Sequence, residues 1–222
     1  MISLQELNRF SVVNGISDRR ISHKDFLKRF GIPAGGRLVR LEQVHGGRVA
    51  RIDGETDLSK EIPGTDGAIT DIKGIALSVR TADCLPILFY DPEHNAIGIA
   101  HAGWRSTKER IARNVVEAMK ADYKSVPSQI LVCMGPALRQ CCYEVNSEFL
   151  MHFPDSVVKM AHRHYFDIAG ENAEQLIASC VSAKNIFDCG ICTACRNDEF
   201  FSFRREKEKA GRMLSVIMIT KE

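Results

Sequence analysis

The chain lacks any long hydrophobic run. Its longest, Leu85 to Tyr90, is six residues, far short of a membrane span. The first ten residues have no signal-peptide core either, because Glu6 and Arg9 interrupt the apolar positions. A cytoplasmic protein with no membrane partner is the expectation. Charge of one sign is equally scarce: 30 Lys and Arg stand against 28 Asp and Glu, a net charge of +2. A protein that grips a nucleic-acid backbone needs a basic excess, so nucleic acid is not expected as a partner. Internal repeats and low-complexity stretches are missing. The only hinge-like cluster is Gly31-Ile32-Pro33-Ala34-Gly35-Gly36.

What is present is ordinary globular material, 222 residues with 45% hydrophobic and 26% charged side chains. Such a length can bury a core without disulfide staples. With so few linker signals, a single domain over residues 1–222 is expected, with 1–37 as a lead-in, and a monomer. The eight cysteines are the unusual feature. With a normal core and no export signal, reduced thiols are expected rather than disulfides.

The middle of the chain reads as strands. Val39 and Leu41, then Ile75, Leu77 and Val79, alternate with smaller or polar residues. Leu85 to Tyr90 and Ala96 to Ala100 form two more, joined by a turn over residues 91–95. Ser106-Thr107-Lys108-Glu109 fits a capping box opening a helix, in which Ile111, Val115 and Met119, flanked by Ala112 and Val116, make an apolar stripe. Ile130 to Met134 returns as a buried strand. Ala173, Leu176, Ile177 and Cys180 suggest another amphipathic helix, and Met213 to Ile219 a final strand. Interleaved helices and strands, several close enough for hairpins, predict an α/β (α+β) fold with a mixed sheet.

Three segments place a potential metal ligand where a strand stops: Gln43-Val44-His45-Gly46, Thr81-Ala82-Asp83-Cys84 and His101-Ala102-Gly103-Trp104-Arg105. Strand ends are where open sheets carry their sites. Two imidazoles and a thiolate suit Zn²⁺, and three protein ligands with a free fourth position is the catalytic arrangement. The three are too far apart in sequence for a zinc-finger spacing. On pattern alone Cys84 reads more readily as a small buried hydrophobe, with incidental histidines.

These segments recur in order with Thr65-Asp66-Gly67-Ala68, Gly135-Pro136-Ala137, Cys141-Cys142-Tyr143-Glu144-Val145, Cys192-Thr193, Phe200-Phe201-Ser202-Phe203-Arg204-Arg205 and Gly211-Arg212. From about residue 38 to the C-terminus the chain resembles the YfiH/laccase-domain family, also called the multicopper polyphenol oxidase or purine nucleoside phosphorylase family. The resemblance implies layered mixed β-sheets flanked by helices, and a metal held by His45, Cys84 and His101. It also implies competing activities. One is a zinc-dependent phosphorolysis of adenosine, inosine and S-methyl-5′-thioadenosine, with accompanying adenosine deaminase activity. The others are a copper-dependent, laccase-like polyphenol oxidase and an editing or binding protein for cell-wall precursors.

Composition bears on the choice. A multicopper oxidase needs many histidines, usually in His-x-His pairs, for a trinuclear cluster plus a blue-copper site. This chain has seven His and one such pair, His162 and His164. A single His₂Cys copper transfers electrons but does not by itself reduce O₂ to water. Zinc is therefore the expected metal and copper the alternative. His23, His94 and His152 read as surface residues.

Nucleoside and phosphate are the expected partners. Asp83, beside Cys84, is a candidate to shuttle a proton or orient a ligand imidazole, or a strand-end carboxylate capping a turn. Arg105, just before the expected helix, would bind phosphate together with free backbone amides. Ser106 stands where family members commonly have Gly, which bears on that anion site. Arg80, on the strand before Asp83, is a second anion candidate or a sheet-edge cation. Cys142 and Tyr143 are candidates to line the substrate pocket, Tyr143 by stacking on a purine. Cys133 and Cys180 fall on expected apolar faces. Cys189-x-x-Cys192-x-x-Cys195 invites an iron–sulfur reading but lacks the fourth Cys and Pro of that run.

Overall fold

The computed structural model describes residues 1–8, 10–32 and 37–220. Of the expected hinge cluster, Pro33 to Gly36 lie outside the described residues. In chain order the elements are β1 (Val12–Ile16), α1 (His23–Arg29), β2 (Leu38–Val39), β3 (Val49–Arg51), β4 (Gly67–Thr70), β5 (Ala76–Thr81), β6 (Leu85–Asp91) and β7 (Ala96–Ala102). There follow α2 (Trp104–Lys108), α3 (Ile111–Tyr123), β8 (Leu131–Met134), β9 (Glu144–Val145), β10 (Val157–Met160), β11 (Arg163–Phe166), α4 (Ile168–Ala178), β12 (Ile186–Asp188), α5 (Phe203–Glu206) and β13 (Met213–Ile219). No helix among the described residues is long and apolar enough to cross a membrane.

The strands form a six-stranded sheet ordered β12-β8-β6-β7-β4-β3, a four-stranded sheet ordered β1-β13-β5-β2 and a small sheet ordered β10-β11-β9. Both larger sheets are mixed: β6, β7, β4 and β8 pair antiparallel, while β3–β4, β8–β12 and β2–β5 are parallel. The layered mixed-sheet α/β fold expected from the sequence is the one observed. Residues 1–32 supply β1 and α1, and β1 pairs along its length with β13.

β6 and β7 are buried at every position, because the six-stranded sheet is covered on both faces. The pleat sends Ile87 and Phe89 to the side of α3, against Val115, Val116 and Met119. Leu88 and Tyr90 go to the opposite side, against Leu77, Val79 and Ile217 of the four-stranded sheet. A strand pair buried on both faces reads as a near-continuous apolar run, which is why this hairpin stands out in the sequence. Ile111, Ala112, Val115, Val116 and Met119 make the buried stripe of α3 as expected.

Two local expectations fail. The capping box does not form. α2 starts earlier, with Gly103 as N-cap, and Ser106 is buried inside it. Arg110, in the left-handed region at φ 59°, then breaks the chain before α3. The break is held by Asn114, whose Nδ2 donates to Glu109 O at 3.0 Å and to Gly47 O at 2.8 Å. A tertiary tie overrides the local signal. The second helix ends at Ala178, so Cys180 lies beyond it, exposed and at φ 67° rather than on a packed face. Cys133 is buried in the core between the two large sheets.

Candidate metal centre and active site

The chain crosses from the four-stranded to the six-stranded sheet through Ala82-Asp83-Cys84, between β5 and β6. His101 comes from the end of β7, opposite Pro86 of β6. His45 comes from the loop after β2. Their ligand atoms all lie within 4.8 Å of one another. Cys84 Sγ is 3.9 Å from His45 Nε2, and the two imidazoles meet edge to face at 4.7 Å between centroids.

The organiser of this cluster is Asp66, a residue the sequence reading left without a role. It is fully buried just ahead of β4. Its carboxylate accepts from the backbone amides of Val44, His45 and Gly46 at 2.7–3.1 Å and faces His101 Nδ1 at 2.7 Å. Three successive amides wrapped on one carboxylate hold His45 in the left-handed conformation (φ 61°), which a non-glycine residue adopts only with such support. The contact at Nδ1 leaves His101 Nε2 available to a metal, the carboxylate–histidine arrangement common behind metal ligands. The available signal was the Thr65-Asp66-Gly67-Ala68 motif, with an acid directly before a buried strand.

Electrostatics within the cluster are strong. Burial alone would raise the Cys84 thiol, but His101 and His45 beside it outweigh this and bring it down to about 6. Burial alone would lower His101, but the Cys84 thiolate and Asp66 push it up to about 9. Metal-free, the pair is thus a thiolate and an imidazolium. A divalent cation would take the place of the imidazolium proton. The donor set therefore fits a metal ion: a soft thiolate, two imidazoles, one of them backed by a carboxylate, and one side open to the pocket.

A direct test follows. In protein stripped of metal, iodoacetamide is expected to alkylate Cys84 at a rate that is flat above about pH 7 and falls tenfold per unit below about 6. Cys133 and Cys142 stay slow, because burial pushes the first up to about 12 and the second up to about 11. Peptide mapping by mass spectrometry reads the site. A Cys84 rate still climbing at pH 8.5 would contradict the thiolate assignment.

The centre lies in the wall of a pocket of about 1030 Å³. Arg80, Asp83, Arg105 and Tyr143 also line it, as do Trp104, Phe203, Arg204, Lys207 and Arg212. Arg105 lies over the Trp104 ring at 4.4 Å, inside the first turn of α2 rather than ahead of a capped helix. Ser106, one residue on, points into the core and does not line the pocket. Arg80 is paired with Glu61 at 3.1 Å. Its backbone is clamped by the Gln43 side chain, which donates to Arg80 O and accepts from Arg80 N.

Asp83, at φ 83°, accepts from Thr193 Oγ1 and from the Arg204 backbone amide, both at 2.6 Å. It ties three segments at the pocket edge, while Asp66 is the carboxylate on the imidazole. Tyr143 packs edge to face on Phe166 at 5.4 Å and carries the Arg204 guanidinium over its ring at 5.6 Å. Cys142 does not line the pocket. Its sulfur turns to Cys195 at 3.5 Å, because the turn over residues 139–143 presents Tyr143 inward and the adjacent thiol away.

Known proteins share the family and the fold. Residues 18–220 match the family model described as multi-copper polyphenol oxidoreductase laccase. A curated relative, purine nucleoside phosphorylase YlmD of Geobacillus stearothermophilus, is 35% identical over 196 residues, covering 82% of this chain and 72% of that protein. Adenosine deaminase RL5, from an unknown prokaryotic organism, is 35% identical over 195 residues, 81% of this chain and 74% of that protein. The crystal structure of the Geobacillus YlmD superposes with a TM-score of 0.88 at 28% identity, covering 95% of this chain and 93% of that one. The Bacillus licheniformis protein YfiH has the same fold, with a TM-score of 0.90 at 24% identity and coverage of 97% and 95%.

Proposed function

The chain belongs to the multi-copper polyphenol oxidoreductase laccase family, and on that premise we propose that it is a zinc-dependent enzyme of purine nucleosides. It cleaves adenosine, inosine and S-methyl-5′-thioadenosine with phosphate, and deaminates adenosine. The observation that carries this reading is the convergence of His45, Cys84 and His101 in a pocket whose wall also holds Arg105, Arg204, Lys207 and Arg212. A cationic pocket at a metal centre suits phosphate and a neutral nucleoside together.

His45, Cys84 and His101 would hold the ion, with Asp66 fixing the His101 ring. A zinc ion bound there supplies Lewis acidity and lowers the pKa of a coordinated water to roughly 7. Arg105, stacked on Trp104, grips the phosphate together with Arg204 through charge-assisted hydrogen bonds. Phe203, 40% exposed at the pocket rim, and Tyr143 offer aromatic surface to the purine. In phosphorolysis a phosphate oxygen forms the bond to ribose C1′ as the bond to the purine nitrogen breaks, and the electron pair leaves on the base. Asp83 acts by position, holding the turn that carries Cys84 against Thr193 and the start of α5.

Copper oxidase chemistry finds less support. Among the described residues, the two groups able to hold a metal are this His₂Cys set and a cluster of four cysteines. Neither resembles the histidine-rich home of an oxygen-reducing copper cluster.

Adenosine and phosphate given to zinc-loaded protein are expected to yield adenine with ribose 1-phosphate, and inosine as a second product, separated by chromatography. Arg105→Ala is expected to raise the phosphate KM roughly 10- to 100-fold, the equivalent of one lost hydrogen bond to a charged group. Neither adenine nor inosine from protein with zinc bound would sink the proposal. Oxygen uptake with a phenol by copper-loaded protein would favour the oxidase.

A further inference from the structure

A second cluster of metal-binding side chains lies outside the pocket and has no part in the reading above. Cys141 and Cys142 sit on the turn that leaves β8. Cys192 and Cys195 sit on the turn that follows β12. The two turns are zipped together by a parallel bridge between Ala137 and Cys192. Ala137 N donates to Ile191 O and Thr193 N to Ala137 O, at 3.2 and 3.0 Å. All four sulfurs converge within 4.8 Å of one another, with Cys195 Sγ at 3.5 Å from Cys142 Sγ and 3.7 Å from Cys141 Sγ.

These separations match a specific object. A tetrahedral zinc with Zn–S of about 2.3 Å places its sulfurs about 3.8 Å apart. A disulfide would need about 2.05 Å between one pair only, whereas here Cys195 approaches two partners equally. The surroundings suit a bound thiolate set as well. Backbone amides of Arg139, Ala194 and Cys195 are directed at the Cys192 sulfur. Leu138, Ala194 and Tyr143 pack around Cys142 and Cys192. Arg205 donates to Ala194 O at 3.2 Å, bringing a cation to the same turn.

We propose that Cys141, Cys142, Cys192 and Cys195 form a closed, structural Zn²⁺ site. Linear spacing misses it, because Cys189 sits at Arg139, 3.9 Å from its Nη2, and belongs to no tetrad. The site's work is architectural. Thr193, between two of the ligands, donates to Asp83 beside Cys84, and Tyr143, next to Cys142, forms pocket wall. An ion bound by both turns fixes that wall from behind. The proposal is independent of the nucleoside reading, since it concerns four other ligands and needs no turnover.

The test is metal content and spectroscopy on the full chain. Cys142→Ser/Cys195→Ser is expected to lose one zinc equivalent and to lower Tm by roughly 10 °C or more. Cys189→Ser is expected to keep its zinc. In His45→Ala, which disables the pocket centre, Co²⁺ is expected to give the intense visible bands of a tetrahedral tetrathiolate. That measurement decides alone if the double variant does not fold. Unchanged zinc in the double variant, a cobalt spectrum with fewer than four thiolates, iron in place of zinc, or a disulfide within the tetrad in protein purified under reducing conditions would each overturn it.

Discussion

Replacing Asp66 by alanine is expected to cost about 3–5 kcal/mol of stability and to weaken metal binding about 10- to 100-fold. The carboxylate answers three backbone amides and one imidazole at once. Each buried donor left unsatisfied costs about 1–3 kcal/mol, and His45 loses the support for its left-handed backbone. Calorimetry of the metal-free protein measures the first effect, and competition with a zinc chelator the second. Asp66→Asn separates them. It keeps an acceptor for some amides, so its stability loss is smaller, while its NH₂ group cannot support the His101 tautomer and the metal loss remains.

The pH profile carries the same signature. Burial alone would raise the Asp66 carboxyl, but His101 and the amides of Gly46 and His45 hold it below the ordinary carboxylate range. Its stabilisation is complete above about pH 4 and is lost as the pH falls through the lowered value. The alanine variant lacks that acid limb. An equal acid limb in both proteins would refute the role given to Asp66.

Gly103→Ala is expected to leave the fold nearly intact and to reduce activity and metal affinity by roughly 100-fold. The backbone there, at φ −79° and ψ 173°, accepts any residue. The stability cost is the weaker helix cap alone, about 1 kcal/mol. The added methyl, however, would lie 2.9 Å from His45 Cδ2 and 3.1 Å from Cys84 Sγ. Both ligands must move apart, and a metal centre tolerates little displacement. Parallel measurement of Tm, zinc affinity and turnover checks it. A variant with native zinc affinity would show that this close approach is incidental.

The elements legible in the sequence are those whose pattern is set by burial. The β6–β7 hairpin, the α3 stripe and β13 announce themselves because every residue, or every third and fourth, meets the core. The candidate triad was legible as residue types and as motifs, although His45 lies in the loop after β2 and not at a strand end. Asp66 was not assigned, because its four donors come from a loop and a strand that only the fold brings to it. The capping box at Ser106 misled because Asn114 and Gly47 impose a break that no local window contains. The cysteines illustrate the same limit. Spacing groups Cys189 with Cys192 and Cys195, whereas two turns far apart in the chain group the latter pair with Cys141 and Cys142.

The pairing of β1 with β13 has a consequence for how the molecule is made. β13 lies between β1 and β5, and Ser17, just beyond β1, holds the Leu214 amide across 197 residues of chain. During synthesis β1 therefore emerges long before β13, the strand it pairs with along its length. The hairpin β6–β7 and α3 can assemble as they leave the ribosome, while the sheet that backs them closes last. Until then the apolar face of β6 and β7 opposite α3 is covered in part by Leu77 and Val79 of β5 but lacks Ile217 of β13, and this interval is where a nascent chain of this design is most exposed to aggregation.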